Sequence, residues 1–222
     1  MTKVTLEQLL EAGCHFGHQS RRWNPAMAQY IYTSRDNVHI FDLVKTLAGL
    51  NEGVEFLQEI KKNGGTILLV GTKRQAKAIV KQTAMELKLP YVSERWLGGM
   101  LTNFGQVQKS VSKLRDLVAK KEAGELKKYT KYEQLQYDRE IERLTHLFGG
   151  LVSLEKLPDA LFVVDTHQEE VAVKEARRMH IPVVGLVDTN GDPELVDYII
   201  PTNDDAVAAI ELMVSSVANA LK

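Results

Sequence analysis

The chain has 222 residues, of which 44% are hydrophobic and 26% charged, a composition typical of a globular protein with a sizeable core. No apolar run approaches the roughly 20 residues that a membrane-spanning helix requires, so we expect no membrane association. The single cysteine, Cys14, excludes an internal disulfide and a cysteine-only metal site, which fits a reducing cytoplasm.

The net charge of -1 conceals an uneven distribution of charge along the chain. Residues 1–103 contain 13 Lys and Arg against 9 Asp and Glu, and residues 104–150 contain 10 against 7. Residues 151–222 contain only 5 basic residues against 13 acidic ones. This asymmetry predicts a basic side that faces nucleic acid and an acidic side that faces another partner. An unevenly charged surface that is merely solvated is the alternative.

The first quarter of the chain predicts a short helix, a loop, a hairpin and a long helix. Thr5 and Gln8 form a capping box at the start of the first helix. The segment CHFGHQSRRWNP is predicted to be a polar loop, and YIYTSRDNVHIF to be two short strands around a turn at 35–37. Asp42 can cap the next helix, which an Asn-Gly-Gly sequence stops.

Four apolar runs further along predict the strands of a parallel sheet that is covered on both faces. They are TILLVG (66–71), ALFVVD (160–165), IPVVGLVD (181–188) and the shorter YIIP (198–201). KRQAKAIVKQTAMELK and QEEVAVKEARRM predict helices between them, the second opened by a capping box of Thr166 and Glu169. Asn203 or Asp204 caps a C-terminal helix. The alternation predicts an open, mostly parallel α/β sheet flanked by helices.

Residues 104–150 interrupt this alternation. Two sets of four apolar residues, each spaced four, three and four apart, indicate two helices with a narrow seam: Val107, Val111, Leu114 and Val118, then Tyr137, Ile141, Leu144 and Phe148. Such a seam predicts an antiparallel coiled-coil hairpin, inserted into the α/β domain and projecting from it. The globular domain is then discontinuous and consists of residues 1–103 and 151–222.

Polar residues follow the predicted parallel strands, where α/β sheets bind their ligands. GTKRQ, after the first of these strands, resembles a phosphate-binding turn in which Thr72 would cap the helix while Lys73 and Arg74 meet an anion. Neither the G-x-G-x-x-G nor the G-x-x-x-x-G-K-[ST] pattern is present, so an ordinary strand-to-helix turn is the competing interpretation. The G-x-S-x-G and H-E-x-x-H motifs are also absent, and no catalytic residue is predicted.

Acidic residues near the end of the chain predict a metal site. Asp188 and Asp204 end or follow neighbouring strands, so they would come together, with Asp205 beside them. His18, from the N-terminal loop, would complete a set of nitrogen and oxygen ligands for zinc or magnesium. Helix capping by the aspartates is the alternative.

Arginines occur beside tryptophans and in turns, a combination typical of surfaces that bind RNA. The arginine fork engages phosphate and an exposed tryptophan can stack on a base, whereas tryptophans that lie in the core are the alternative. Lysines of the predicted hairpin and of the GTKRQ turn extend the predicted RNA-binding set: Arg21, Arg22, Trp23, Arg35, Lys73, Arg74, Arg95, Trp96, Lys109 and Lys113.

The sequence closely resembles the bacterial family of the second protein of the small ribosomal subunit. The resemblance spans nearly the whole chain and is carried by AGCHFGHQSRRWNPAM (12–27), IFDLVKT (40–46), GTKRQA (71–76), ERWLGGMLTNF (94–104), LPDALFVVDT (157–166) and IPVVGLVDTNGDPELVDYIIPTNDDA (181–206). Two minor departures are Ala26, where the family often has lysine, and Met100, where it often has threonine.

The resemblance implies a Rossmann-like domain with a projecting coiled-coil hairpin and no enzymatic activity. It implies a structural role between the head and body of the small subunit, with contacts to ribosomal RNA and to neighbouring ribosomal proteins. It also implies help in recruiting the large multi-OB-fold mRNA-binding protein of the subunit. From the residues alone, the alternative is an α/β binding protein or enzyme for a phosphorylated small molecule, which would use residues 71–74.

Overall fold

A five-stranded parallel sheet lies at the centre of the structure, a computed structural model that describes residues 4–222. The helices and strands follow in chain order: α1 (Leu6–Glu11), β1 (Phe16–Gln19), β2 (Ile31–Arg35), β3 (Val38–Phe41), α2 (Leu43–Lys62), β4 (Ile67–Val70), α3 (Lys77–Leu87), β5 (Tyr91–Val92), α4 (Phe104–Glu122), α5 (Lys131–Phe148), β6 (Ala160–Val164), α6 (Glu170–Arg178), β7 (Val183–Val187), β8 (Tyr198–Pro201) and α7 (Val207–Ala220).

The strand order of the parallel sheet is β5-β4-β6-β7-β8. Counted among the parallel strands alone, this order is 2-1-3-4-5, a common doubly wound arrangement. The chain moves outward from β4 to β5 and then returns to place β6 on the other side of β4. The prediction of a Rossmann-like α/β sheet flanked by helices is therefore confirmed, and β4 and β6 bracket its topological switch point.

Alternate residues of each parallel strand enter two separate cores, because successive side chains of a strand point to opposite faces. On β4, Ile67 and Leu69 pack with residues of α2, α3 and α7, whereas Leu68 and Val70 pack with residues of α4, α5 and α6. All four side chains are at most 1% exposed. Burial on both faces explains why these strands read as continuous apolar runs.

Helix α2 lies unusually close to the edge strand β8. A Cβ atom on Gly49 would lie 2.2 Å from the carbonyl oxygen of Ile199, so only glycine fits at this position. One turn earlier, the hydroxyl of Thr46 donates a hydrogen bond of 2.6 Å to the carbonyl oxygen of Pro201. The backbone of this edge strand is thus partly covered by the helix, which limits its pairing with other chains.

A second, three-stranded antiparallel sheet has the order β1-β3-β2. The predicted strand pair around residues 35–37 is present as β2 and β3. The prediction of a plain loop for CHFGHQSRRWNP was wrong, because Phe16–Gln19 pairs with β3 and Ser20–Arg22 forms a short 3-10 helix. Pairing with β3 satisfies backbone groups that the polar sequence gave no reason to assign to a strand.

Three predicted helix starts were also wrong. Helix α7 begins at Val207, behind Ala206 and without a side-chain cap, rather than behind Asn203 or Asp204. The other two starts follow parallel strands. Helix α3 begins at Lys77 rather than at Lys73, and Thr72 does not cap it. Helix α6 has no capping box of Thr166 and Glu169; the Glu169 carboxylate instead accepts hydrogen bonds from the backbone and hydroxyl of Thr72. In both cases a tertiary contact at the end of the sheet uses the group that would have formed the local cap.

Helices α4 and α5 pack against each other and are joined by a short turn in which Gly124 has a φ of +73°. Lys113 pairs with Glu140 at 2.7 Å, and Lys121 pairs with Asp138 at the same distance. The lysine that lies later in α4 thus pairs with the carboxylate that lies earlier in α5, as antiparallel helices require. Coiled-coil geometry, the exact seam contacts and the division into 104–150 and the rest stay predictions.

The seam of these helices is continuous with the core beneath the sheet. Val107, Val111 and Leu114 on α4 and Leu144 and Phe148 on α5 are at most 8% exposed and belong to the same apolar cluster as the sheet residues. Leu117 joins them, one position before the predicted Val118. The base of the hairpin is therefore anchored in the globular core.

Replacing Leu114 by Asp is expected to loosen the hairpin, because a buried carboxylate without a partner costs several kcal/mol. Amide hydrogen exchange should accelerate in α4 and α5, while β4, β6 and β7 keep their protection. The matched control is Leu135→Asp on α5, where the side chain is 46% exposed and little change is expected. Loss of protection throughout the sheet in Leu114→Asp would show that the hairpin is not a separable unit.

Candidate functional site

The candidate site lies at the carboxyl ends of β4, β6 and β7. The N-terminal segment reaches it by crossing over the loop that follows β7. The backbone N–H of His18 donates to the hydroxyl of Thr189 at 2.9 Å, and that of Asn24 donates to the Thr189 carbonyl at 2.6 Å. A Cβ atom on Gly17 would lie 2.6 Å from the Thr189 methyl group, so the close approach requires glycine.

Lys73 is at the centre of the site and is surrounded by carboxylates. Its Nζ atom lies 2.9 Å from Asp165 Oδ2, 2.6 Å from Asp204 Oδ1 and 2.7 Å from Asp205 Oδ1. The lysine side chain is only 11% exposed. Asp165 has a φ of +65°, a conformation that non-glycine residues rarely adopt and that functional sites often contain. One ammonium group thus connects the loops that follow β4, β6 and β8.

His18 extends this cluster towards β7. Its Nδ1 atom lies 3.0 Å from Asp188 Oδ1, and its Nε2 atom lies 3.4 Å from Asp205 Oδ2. Asp188 Oδ2 also accepts from the backbone N–H of Asp204 at 3.3 Å. The prediction that Asp188 and Asp204 come together is therefore confirmed. His18, Asp188 and Asp204 each offer a ligand atom within 4.8 Å of the other two.

The carboxylates outnumber the cations in this cluster, and this imbalance shifts several pKa values. Burial raises the pKa of Asp204 well above its usual value, and the charges of Asp188 and Asp165 raise it further. Burial alone would lower the pKa of Lys73, but its acidic neighbours, Asp204 foremost, raise it overall. The contact with Asp188 raises the pKa of His18 despite partial burial. The cluster therefore favours positive charge.

These contacts argue against Lys73 as a ligand for phosphate. Its charge is already neutralised by three carboxylates, and the neighbouring Thr72 hydroxyl donates to Glu169 at 2.5 Å. An anion at this point would meet several carboxylates. Lys73 consequently leaves the set of side chains that we consider for contact with RNA, because the fold uses its charge internally.

A single buried carboxylate organises the loop that contains Trp96. Glu175 accepts hydrogen bonds from Trp96 Nε1 at 3.2 Å and from the backbone N–H groups of Gly99, Leu101 and Thr102 at 2.7 to 3.0 Å. The Thr102 hydroxyl adds a fifth, at 3.0 Å. Burial would raise the pKa of Glu175, but these bonds outweigh it and lower the pKa.

Of the two tryptophans, Trp96 belongs to the core and is only 9% exposed. This burial favours a role for Trp96 in ordering its loop, and RNA contact at Trp96 stays a prediction. Trp23 is partly exposed and packs against the ring of His39, with centroids 4.9 Å apart. Neither ring is a fully presented stacking platform.

The remaining predicted RNA-binding side chains are mostly exposed. Arg74 follows β4, Arg95 follows β5, and Arg21 and Arg22 lie between the two residues that bind Thr189 after β7. The carboxyl ends of parallel strands meet at one edge of a sheet, so Arg74 and Arg95 follow strands that end at that edge. Arg21 and Arg22 belong to a segment whose flanking residues are bonded to the loop after β7 at the same edge. The hairpin and turn residues are also exposed: Arg35, Lys109 and Lys113.

Sequence reasoning gave no role to Glu175 and assigned Glu169 only to a helix cap. A signal existed for Glu175, since it lies three and two residues after Ala172 and Val173, which are buried on the same helix. A charged residue on the apolar side of an amphipathic helix calls for a buried partner. No comparable pattern identified Glu169, whose partner Thr72 is 97 residues away.

Comparison with known protein families gives one match along nearly the whole chain. The family described as ribosomal protein S2 matches residues 9–222. The matched range contains both sheets, α4 and α5, and all residues of the cluster around Lys73 and His18. The resemblance found in the sequence and the family match therefore agree.

Replacing Glu175 by Gln is expected to lower the free energy of unfolding by about 1.5–3 kcal/mol, because bonds to a charged acceptor are lost. The folded-state pKa of Glu175 is depressed, so its contribution is present above its ordinary pKa of 4.5 and is lost as pH falls through the folded value. Urea unfolding should show a constant gap between wild type and variant at neutral pH that shrinks below about pH 4.5.

The matched control for this variant is Glu211→Gln, at an exposed position of α7. It should differ from wild type by less than roughly 0.5 kcal/mol at each pH. A Glu175→Gln chain as stable as the control at neutral pH would show that the carboxylate does not support the loop.

Proposed function

The chain belongs to the ribosomal protein S2 family, and from this membership we propose that it binds ribosomal RNA through the arginines at the carboxyl edge of its parallel sheet. Membership itself gives the chain a structural, non-enzymatic role in the small ribosomal subunit. In residues 4–222, no helix has the length and apolar character needed to cross a membrane. We place its site of action in the cytoplasm, where ribosomes translate.

One observation carries the proposal: exposed arginines share one edge of the sheet. Arg74 and Arg95 follow the neighbouring parallel strands β4 and β5, and the segment of Arg21 and Arg22 is held at the loop after β7 by the backbone contacts of His18 and Asn24, which supports a shared surface. Guanidinium groups bind phosphate oxygens through two parallel hydrogen bonds, and clustered positive charge releases the counterions of RNA. Arg35, Lys109 and Lys113 would extend the contact along the small sheet and the hairpin, with Trp23 packing beside it.

The charge of the last third of the chain supports the same orientation. With 13 acidic and 5 basic residues, 151–222 would repel the phosphate backbone. We therefore expect RNA contacts to concentrate in residues 1–150, while the acidic part faces proteins of the subunit. We also propose that the chain helps recruit the large multi-OB-fold mRNA-binding protein, a role that the family resemblance implies.

The alternative function, binding of a phosphorylated small molecule at residues 71–74, has less support. The lysine that would contact phosphate is held by three carboxylates. Sedimentation separates the two possibilities: a tagged chain should migrate with small subunits in a sucrose gradient of cell extract. Migration only as a free protein would contradict the ribosomal role.

Replacing Arg74 and Arg95 by Gln should weaken the binding of purified chain to small-subunit RNA. Each lost phosphate contact should reduce the slope of log K against log salt concentration by about 0.7–0.9. Filter binding at several salt concentrations measures this slope. The matched control is Arg178→Gln, an exposed arginine of α6 in the acidic third, which should leave the slope unchanged. An equal loss in the control would contradict the proposed surface.

We further propose that His18, Asp188, Asp204 and Asp205 hold a divalent cation, zinc or magnesium. The donor set fits such an ion, because four carboxylates with Asp165 included face one ammonium and one imidazole. Asp204 is 1% exposed, and its Oδ2 atom has no hydrogen-bond partner in the part of the chain that the structure describes. An orphaned carboxylate oxygen at such a point calls for a cation. An ion here would tie the N-terminal segment to the ends of β7 and β8.

The purified chain, dialysed against zinc or magnesium, should retain about one ion per molecule in elemental analysis. Replacing His18 by Ala, or Asp188 or Asp204 by Asn, should remove it, because each change deletes a ligand. His167→Ala, at an exposed histidine outside the cluster, serves as the control and should retain the ion. Absence of both metals from the wild-type chain would refute the metal proposal and leave the RNA proposal intact.

A further inference from the structure

A second concave site is lined by residues that follow β6 and β7, among them Thr166, His167, Asn190 and Asp192. It is a cavity of about 270 Å³ next to the N-terminal end of α6. This volume is below the roughly 300–1,000 Å³ of clefts that hold drug-sized ligands, and it suits a single inserted side chain. Neither the RNA proposal nor the cation proposal uses it.

The cavity contains buried oxygen atoms that lack donors. Thr166, which lines it, is 5% exposed, and its hydroxyl oxygen has no hydrogen-bond partner within residues 4–222. The Oδ1 atom of Asn190, also in the lining, is buried and without a partner in the same range. Buried polar atoms are nearly always hydrogen-bonded in native proteins, so two orphans in one cavity indicate a missing polar partner, and Asn190 Oδ1, which can only accept, requires a donor.

The electrostatic character of the cavity indicates that this donor is positively charged. Glu170 and Asp192 contribute carboxylates to the lining. Glu170 Oε1 pairs with Lys174 Nζ at 2.5 Å, and Asp192 Oδ1 accepts from the backbone N–H of Glu194 at 3.0 Å. Each carboxylate therefore has one oxygen bound to a known partner. The second oxygen of each remains a hydrogen-bond acceptor in the cavity lining.

A directly coordinated metal ion does not suit this cavity. Among the described residues, only His18, Asp188 and Asp204 form a group of three ligands whose atoms all lie within 4.8 Å of one another. The acceptors here are more widely spread, and the wall also contains the apolar side chains of Val173 and Leu195. A flat group with several N–H donors on an aliphatic stem satisfies both features.

We infer that this cavity binds the guanidinium group of an arginine side chain presented by a neighbouring protein of the small subunit. The guanidinium would donate to Asn190 Oδ1 and Thr166 Oγ1 and face the carboxylates of Glu170 and Asp192. Its aliphatic stem would pack against Leu195. Assignment of the donor to a ribosomal neighbour rests on the proposed function, whereas recognition of guanidinium by the cavity does not.

Recognition of guanidinium can be tested on the isolated chain. Acetyl-arginine amide, titrated at constant ionic strength, should shift the backbone amide NMR signals of Thr166 and Gly191. Acetyl-citrulline amide, which has the same shape without the charge, should bind at least about tenfold more weakly. Spermidine and acetyl-lysine amide test the other sources of positive charge. Equal or tighter binding of either than of the arginine probe would overturn the guanidinium assignment.

Two substitutions separate binding from folding. Thr166→Val keeps the shape and removes the orphaned oxygen, so it should weaken the arginine probe by roughly threefold or more without lowering the stability of the free chain. Asp192→Asn keeps an oxygen that can accept from Glu194 and removes the charge, and it should also weaken binding. Glu194→Gln, two residues further along and not part of the cavity lining, is the control. Equal affinities in all four chains would overturn the inference.

The neighbouring protein can be tested in purified small subunits. A photocrosslinking residue in place of His167, which is exposed at the rim, should form an adduct with a ribosomal protein segment that contains arginine. An adduct only with RNA, or none in subunits that contain the chain, would overturn assignment to a protein neighbour. Absence of the chain from small subunits would instead contradict the proposed function.

Discussion

The ammonium group of Lys73 is the contact on which the site at the sheet edge depends. It balances carboxylates from the loops after β6 and β8 while its own backbone follows β4, so the loops that follow three parallel strands meet at one largely buried cation. Removing one partner from such a cluster leaves uncompensated buried charge, which costs far more than a surface ion pair contributes. The cluster fixes the positions of Asp204 and Asp205, and through them that of His18.

This use of Lys73 explains how one edge of the sheet can carry charges of both signs. The buried lysine and the aspartates form a compact acidic centre, while Arg74 and Arg95, which follow β4 and β5, are exposed. At physiological ionic strength, exposed charges more than about 8 Å apart are largely screened from each other. The acidic centre and the basic periphery can therefore act on different ligands.

Much of the fold was predictable because it follows from local patterns. The continuous apolar strands, the helical repeats and the position of the hairpin helices are properties of short windows. The strand β1 was missed because its polar sequence forms a strand only by pairing with β3. The caps proposed at Thr72 and Thr166 failed because Thr72 binds Glu169 and the Thr166 hydroxyl lies in the cavity beside α6. The tertiary bond between Thr72 and Glu169 thus replaced the local caps, because Glu169 was also the predicted partner of Thr166.

The candidate site was predictable in part for the same reason. Residues that follow parallel strands must meet at one edge, so Asp188 and Asp204 could be brought together from the sequence. That Lys73 would face those aspartates rather than phosphate could not be deduced, because the GTKRQ turn fits either role. Trp96 and Arg95 are neighbours in the sequence, yet one is buried and the other exposed. The sequence pattern singled out both residues for RNA contact. Only the structure shows that the Trp96 ring is held inside by its hydrogen bond to Glu175, whereas Arg95 faces solvent.

The contact between His18 and Thr189 has a consequence for the order in which the protein is built. The two residues are 171 positions apart. The N-terminal segment can pair with β3 early, but its contact with the loop after β7 has to wait until most of the chain has been synthesised. Domains fold during synthesis from the N-terminus, but a contact of this range has to wait for its distant half. A nascent chain therefore emerges with its SRRW arginines attached to an undocked segment. The edge that gathers them is completed only when the last third of the protein has been made.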